Sequence, residues 1–384
     1  MDRNQEAFIE FVRAGLWEEI KVNGEGLMVN DFSTGLFPSV DWREILRLAK
    51  EQSVIGLVAA GIDNIDVRCQ KEDGRCRPSQ EVKLQFIGQA LRIEQKNLAI
   101  NDFIAGLIEK LRKNDIYALL VKGQGIAQCY EKPLWRTPGD VDLLLSEENY
   151  RKAKDVLAPI ADDVAGENEA AKHQTFVIKG FVVELHGRMP FGMSQRVDKV
   201  IEDAQRDVFY GGSVRSWMNG KTSVFLPSPN NDIIFVFTHL LHHFFIEGVG
   251  LRQICDWCRL LWRYRSELDI RLLESRIKQM GLMSEWKVFG AMAVEHLGMN
   301  ADAMPFYDSR FKIKGEKVLK RILKCGNFGD NNDLSYRTKY TGMVYKIVAA
   351  WRRFVEFASL VPVFPVDAPR FFVRYIFGKS VVQG

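Results

Sequence analysis

Apolar residues recur at helical spacing near both ends of the chain. Between Trp42 and Ala60 they fall three or four positions apart, and a longer amphipathic stretch runs from Leu84 to Leu111. The same spacing returns at Asn231 and continues through residues 272–297. A polar stretch with glycine and proline, residues 66–80, is typical of an exposed connection. The pattern therefore predicts helices before residue 112 and again after residue 231.

The middle of the chain has a different pattern. Short apolar runs at Ile116–Val121, Val141–Leu145 and Phe176–Leu185 have the length of strands. Helical patterns at Ile126–Tyr130 and Glu147–Leu157 separate them. Strands confined to the middle, with helices on either side in the chain, predict an α+β fold.

Two carboxylates begin the second predicted strand. Asp140 and Asp142 are separated by one residue, so in a strand both side chains face the same side. Neighbouring carboxylates repel each other unless a cation lies between them, and magnesium is held by a few carboxylates together with substrate phosphates. The pair therefore predicts a site for Mg²⁺ or Mn²⁺ bound with a nucleotide.

A turn that contains glycine precedes the two carboxylates. Its sequence is Lys122-Gly123-Gln124-Gly125. The turn follows a predicted strand and precedes a predicted helix, where backbone N–H groups can face an anion and glycine permits close approach. We expect it to contact nucleotide phosphates, with Lys122 and Arg136 supplying positive charge.

A third predicted strand carries Glu184 and His186. They alternate with Val183 and Leu185, so their side chains share the face opposite the apolar pair. Glu184 is placed to be a third metal ligand or a general base, and His186 to orient Glu184 or line the site.

These motifs resemble the DNA polymerase β-like nucleotidyltransferase superfamily, and within it a group of poorly characterised bacterial nucleotidyltransferases. The resemblance covers roughly residues 85–260 and rests on the strings Leu-Val-Lys-Gly, Arg-x-x-Gly-Asp-x-Asp-Leu-Leu and Glu-Leu-His. It implies transfer of a nucleotidyl group from a nucleoside triphosphate, ATP among them, to a hydroxyl or phosphate acceptor. Asp140, Asp142 and Glu184 would be the catalytic, metal-binding residues.

The resemblance also implies an architecture and a nucleotide site. The core would be a small mixed sheet with flanking helices, in three regions: N-terminal helices 1–82, the nucleotidyltransferase core 83–218 and a helical C-terminal domain 219–384. The nucleotide would be bound by Lys122, Gly123, Gln124, Gly125, Arg136, Gly139, His186 and Asp256. A sugar phosphate, another small molecule, a protein and an RNA end all stay open as the acceptor.

The composition of the chain bears on its cellular location but does not indicate a binding partner. The chain has 53 basic and 49 acidic residues, a net charge of only +4, so a nucleic-acid partner is not indicated. No apolar run is long enough for a membrane span, and the polar N-terminus does not look like a signal peptide. Six scattered cysteines suit a reducing compartment, so we expect a cytoplasmic protein.

Other motifs favour packing over chemistry. His239 and His243 share a helix face and are expected either to pack in the core or to line a pocket, with a zinc site as the alternative. Arg252 and Asp256 are expected to pair, since they lie four residues apart. Basic and aromatic residues alternate over residues 345–377, typical of a helix with its aromatic rings packed inward.

Three other interpretations of the chain stay open. One is a non-catalytic protein that keeps the fold and binds a nucleotide or a partner. The second is a helical interaction module in which the acidic residues have no role, and the third is a metal-dependent phosphohydrolase that uses His239 and His243. The interaction module predicts that no nucleotide stabilises the protein.

Overall fold

Helices form both ends of the molecule, as the apolar spacing predicts. The structure, a computed structural model, describes residues 1–17, 20–22, 25–27, 40–69, 78–189, 194–331, 335 and 339–373. Most of the connection expected at 66–80, and residues 374–377 of the basic-aromatic segment, lie outside these residues. The helices are α1 (Arg3–Leu16), α2 (Trp42–Glu51), α3 (Ile55–Cys69), α4 (Gln80–Arg112), α5 (Gly123–Ala127), α6 (Glu147–Leu157), α7 (Gln195–Tyr210), α8 (Pro229–Ile246), α9 (Leu251–Tyr264), α10 (Ile270–Met280), α11 (Met283–Leu297), α12 (Lys312–Cys325) and α13 (Gly342–Leu360).

The strands form a small hairpin and one larger mixed sheet. They are β1 (Ile20–Val22), β2 (Glu25–Leu27), β3 (Ala118–Val121), β4 (Val141–Leu145), β5 (Asp163–Val164), β6 (His173–Ile178), β7 (Phe181–His186), β8 (Val214–Asn219) and β9 (Thr222–Pro227). β1 pairs with β2, and the larger sheet has the order β5-β6-β7-β4-β3-β9-β8. β4 runs parallel to β7 and β3 runs parallel to β9, while the other neighbours are antiparallel. This mixed sheet with helices confirms the expected α+β class.

The single strand expected at Phe176–Leu185 is wrong in one respect. The chain turns at Lys179 and Gly180, so β6 and β7 form a hairpin. Both turn residues have a positive φ, of 53° and 78°. Glycine adopts this backbone conformation without a steric penalty, which is why an apolar run divides here.

Helices cover both faces of the larger sheet. Along β3, Leu120 belongs to the core on the side of α4 and α6, whereas Leu119 and Val121 belong to the core shared with the terminal helices. The alternation follows from the two-residue period of a strand. Because both faces are buried, β3 and β4 consist largely of apolar residues. The polar residues of the site therefore lie where the strands begin or end.

The expected regions are packed together rather than separated. The boundary expected between residues 218 and 219 falls inside β8, which pairs with β9 in the larger sheet. One apolar core contains Phe11 of α1, Val121 of β3 and Trp257 of α9. Side chains from all three expected regions therefore contribute to the same core.

The C-terminal segment buries only part of its aromatic surface. Phe357 of α13 is buried together with Phe364 and Phe371, against the α8 ring of Phe245. Trp351, in contrast, is exposed. The expected inward packing of aromatic residues is thus right for one face of the segment. Within the described residues, no helix is both long and apolar enough to cross a lipid bilayer.

Candidate metal and nucleotide site

Three carboxylates lie close together where β4 begins, beside its neighbour β7 in the larger sheet. The parallel register of β4 and β7 places Asp142 beside Glu184, and Asp140 precedes β4 by one residue. Carboxylate oxygens of Asp140, Asp142 and Glu184 all lie within 4.8 Å of one another. We call these three residues the carboxylate cluster. The sequence expectation that Asp140 and Asp142 face the same side of their strand agrees with this geometry.

Asp142 lies at the buried centre of the cluster. Its Oδ1 accepts from Lys122 Nζ at 2.7 Å and lies 2.9 Å from His186 Nε2. Burial favours the neutral acid, but Lys122 and the hydrogen bond from His186 outweigh burial, so the pKa of Asp142 lies below its ordinary value. Asp142 is therefore an anion with two cationic or donating neighbours.

Asp140 is the exposed member of the cluster. The negative charge of Asp142, followed by partial burial, raises the pKa of the Asp140 carboxyl. Lys122 opposes this rise without cancelling it. A divalent cation between the two carboxylates would remove the cause of the raised pKa.

Histidines surround the third carboxylate. Glu184 Oε2 lies 3.3 Å from His173 Nε2 and 3.5 Å from His186 Nε2. Burial opposes ionisation of Glu184, yet hydrogen bonds from both histidines hold its pKa well below the ordinary value. The pKa of His186 is raised because Asp142 and Glu184 outweigh its burial. These three residues, His173, Glu184 and His186, form a second group with metal-ligating atoms close together.

Lys122 has an unusual backbone at the turn before α5. Its φ is 59° and its ψ is −148°, a conformation that non-glycine residues rarely adopt. Gly123 follows with a φ of 44°. Burial acts against the charged amine, but Asp142 and Asp140 attract it more strongly and raise the pKa of Lys122. The strained turn holds the ammonium group against the cluster.

The other two residues of the turn face away from the cluster. Gln124 is buried and donates through Nε2 to Asn97 and Asn101 of α4, at 2.9 and 3.0 Å. A Cβ atom on Gly125 would lie 2.7 Å from a terminal methyl group of Leu226, so a larger residue there would force the Leu226 side chain of β9 to move. Both residues position the turn.

Arg136 forms a buried ion pair that the sequence did not indicate. Its Nε and Nη2 donate to the two carboxylate oxygens of Asp256, each at 2.7 Å, and Tyr130 Oη donates to the same carboxylate. The expected Arg252–Asp256 pair is therefore wrong, because Asp256 is already held by Arg136 across the interface between α9 and the segment before β4. Arg136 thus forms its ion pair with Asp256 and not with Asp140 or Asp142 of the cluster.

The carboxylate cluster opens into a cavity of about 280 Å³. The expected site residues that line it are Lys122, Gly123, Arg136, Gly139, Asp140, Asp142, Glu184 and Asp256. His186 lies behind the cluster as a buried partner of Asp142. The structure thus brings most of the expected residues together around one space.

Arg252 and Phe328 also line this cavity, and sequence reasoning did not assign them to it. Arg252 Nη1 donates to the Pro138 carbonyl at 3.2 Å and lies beside Gly139. Its Nε is buried, and no described residue forms a hydrogen bond with it. Burial, then repulsion by Arg136, lowers the pKa of the guanidinium. No sequence signal places either residue here, because both come from helical segments distant in the chain.

Two histidines of α8 and the glutamate that follows the helix contact one another in sequence beside the cavity. His239 Nε2 and His243 Nε2 are 3.1 Å apart, and His243 Nδ1 lies 2.9 Å from Glu247. Both histidines line the cavity, as expected. Within the described part of the chain, two groups of side chains could hold a metal ion: the carboxylate cluster, and Glu184 with His173 and His186. Neither group includes His239 or His243. The zinc alternative therefore has no geometric support.

The fold and the cluster together define a nucleotidyltransferase core with helical regions around it. The chain belongs to the family described as "Uncharacterised nucleotidyltransferase", which it matches over residues 38–298. Searches of curated proteins and of solved structures found no match. The matched segment contains the complete larger sheet and the carboxylate cluster, and it ends before Phe328.

Proposed function

We propose that this protein is a metal-dependent nucleotidyltransferase. It would transfer a nucleotidyl group from a nucleoside triphosphate to a hydroxyl or phosphate acceptor, as expected for the polymerase β-like superfamily. The observation that carries the proposal is the carboxylate cluster, beside Lys122 and at the mouth of a cavity, in a chain of this family.

The cluster suits Mg²⁺ or Mn²⁺. Its three carboxylates offer the oxygen ligands that hard divalent cations prefer, and a cation would relieve the repulsion between Asp140 and Asp142. The lowered pKa of Glu184 makes it a weak base and therefore supports its role as a ligand. A bound ion would supply Lewis acidity at the α-phosphate and neutralise charge on the leaving pyrophosphate.

The positive groups of the cavity would orient the triphosphate. Lys122 and Arg252 both line the cavity, and Arg252 lies close to Gly139. Their charges would offset the negative charge of the phosphate oxygens, which is the main protein contribution to phosphoryl-type transfer. In the reaction, an acceptor oxygen would form a bond to the α-phosphorus while the bond between the α-phosphorus and the oxygen bridging to the β-phosphorus breaks, so that pyrophosphate leaves. The proton of a hydroxyl acceptor would pass to solvent.

Thermal stabilisation by metal and nucleotide tests the proposal. Each nucleoside triphosphate would be added with Mg²⁺ or Mn²⁺ to the wild type and to Asp140→Asn, which alters the exposed ligand. A ligand that binds only the folded state raises the melting temperature. We expect a metal-dependent rise in the wild type that Asp140→Asn loses. Asp203→Asn, an exposed carboxylate on α7, is the matched control and should behave as the wild type.

Pyrophosphate release distinguishes an enzyme from a nucleotide-binding relative. Wild type with the stabilising triphosphate would be supplied with acceptors of each class: sugar phosphates, small hydroxyl compounds, protein and RNA ends. Metal-dependent pyrophosphate release that Asp140→Asn abolishes supports transfer. Stabilisation without release by any acceptor class would favour the non-catalytic alternative, and absence of stabilisation by every triphosphate would contradict the proposal.

A further inference from the structure

An aromatic side chain from outside the family match completes the cavity wall. Phe328 lies in a one-turn 3₁₀ helix, Asn327–Gly329, that follows α12. It lines the same cavity as Lys122 and Asp140, yet the family match ends at residue 298. The C-terminal part of this chain therefore contributes to a site whose carboxylates come from the family core.

The backbone of Phe328 is strained and its ring is accessible. Its φ of 51° and ψ of 22° lie in the left-handed region, which bulky residues rarely adopt. Phe328 as a whole residue is 43% exposed, although phenylalanine is usually well buried. Such strain persists only where surrounding structure enforces it, and it is concentrated at ligand sites.

Neighbouring segments hold this turn in place. Gln253 of α9 donates through Nε2 to Asn327 Oδ1 at 2.9 Å, and Asn327 Nδ2 donates to Ser53 Oγ at 3.1 Å. The turn also packs closely on Gly248, where an added Cβ would lie 2.7 Å from the Gly329 nitrogen. These contacts fix the turn against two distant segments, so the ring is positioned before any ligand arrives.

The chemistry around the ring suits a flat aromatic ligand. His243 packs edge-to-face with Phe328, with ring centroids 5.0 Å apart and an interplanar angle of 74°. The phenyl group has no hydrogen-bonding or charged atoms, so it cannot contribute to phosphate or metal binding. An accessible aromatic ring can instead stack on the face of a nucleobase, whatever the base.

We propose that Phe328 is the stacking platform for the base of the donor nucleotide. The inference rests on the proposed function, because it places the base of the same triphosphate whose phosphates reach the carboxylate cluster. It adds a specificity element that lies outside the matched family segment. Stacking on Phe328 would distinguish a nucleoside triphosphate from a bare polyphosphate.

Titration calorimetry with two ligands tests this role. Inorganic tripolyphosphate and ATP, each with Mn²⁺, would be titrated into the wild type, Phe328→Ala and Phe328→Trp. Loss of one stacked base should weaken ATP binding by Phe328→Ala by roughly 5- to 100-fold, while tripolyphosphate binding stays unchanged. Phe328→Trp keeps an aromatic face and should bind ATP as well as the wild type. Trp351→Ala, which removes an exposed ring from α13, is the matched control.

The results separate the stacking role from the proposed function. Unchanged ATP affinity in Phe328→Ala would overturn the stacking role and leave the metal–nucleotide site intact. Equal weakening of ATP and tripolyphosphate would also overturn it, because the substitution would then act on the phosphate site. If the wild type binds neither ligand, the proposed function fails and the stacking role fails with it.

Discussion

Lys122 Nζ lies 2.7 Å from Asp142 Oδ1, at the buried centre of the carboxylate cluster. The lysine reaches this point because the strained turn before α5 directs the lysine side chain toward β4. Asp142 is a carboxylate that a metal ion would also use. Without a metal, Lys122 and His186 supply the charge and hydrogen bonds that compensate the buried anion.

Lys122→Gln should destabilise the protein more without metal than with it. The substitution leaves the buried Asp142 anion with one fewer cationic partner, and loss of one member of a buried pair costs about 3–5 kcal/mol. Saturating Mn²⁺ should recover part of that loss, because the ion provides a new counter-charge. Urea unfolding with and without Mn²⁺ measures both quantities. An equal loss under both conditions would mean that the metal does not reach Asp142.

Arg252→Gln should weaken polyphosphate binding while changing stability little. The Arg252 guanidinium lines the cavity and donates to backbone carbonyls, and its Nε has no hydrogen-bond partner among the residues that the structure describes. Removal of a charge-assisted contact to a phosphate costs about 1.5–3 kcal/mol, which is a roughly tenfold or greater loss of affinity. Titration with Mn²⁺-tripolyphosphate measures it, with the exposed Arg263→Gln on the same helix as control. Unchanged affinity would place the phosphates elsewhere in the cavity.

Asp256→Asn should act mainly on stability. The substitution removes the anion that holds the buried Arg136 through two hydrogen bonds of 2.7 Å. Breaking a buried ion pair by removal of one partner costs about 3–5 kcal/mol. Denaturant unfolding should show this loss, and Asp269→Asn at the start of α10 provides a second aspartate for comparison. A drop in nucleotide affinity with unchanged stability would instead make Asp256 a direct nucleotide contact.

Glu285 of α11 should make the protein less stable as the pH rises. Burial, and the nearby charge of Asp367, raise the pKa of Glu285 from 4.5 to about 9. Above pH 4.5 the unfolded chain loses this proton while the folded protein keeps it, so the free energy of unfolding falls until about pH 9.

Glu285→Gln removes this titration and should be more stable than the wild type by an amount that grows with pH. The difference at pH 8 should be on the order of 5 kcal/mol, since each pH unit between the two pKa values contributes about 1.4 kcal/mol. Unfolding in urea from pH 5 to pH 9 checks the prediction, with Glu274→Gln, on the adjacent α10, as the control. Parallel stability curves for Glu285→Gln and the wild type would show that Glu285 ionises normally in the folded state.

Local patterns along the chain were enough to predict the elements that carry the carboxylates. The helix Glu147–Leu157 has the predicted bounds, because a serine cap at Ser146 and regularly spaced apolar residues specify it locally. The strand Val141–Leu145 is also as predicted. The hairpin at Lys179 and Gly180 was missed, because an apolar run on both sides of a short turn looks like one continuous strand.

The pairing of Asp140 with Asp142 follows from the sequence alone, because the two-residue period of a strand puts both side chains on one face. Glu184 joins them only through the parallel pairing of β4 with β7. The long-range contacts of the site likewise follow from the tertiary structure and not from the sequence. Arg136 pairs with Asp256 across 120 positions of the chain, and Phe328 reaches the cavity from beyond the family core. Such contacts depend on how helices and sheet pack against one another, and periodicity within a segment carries no information about that packing.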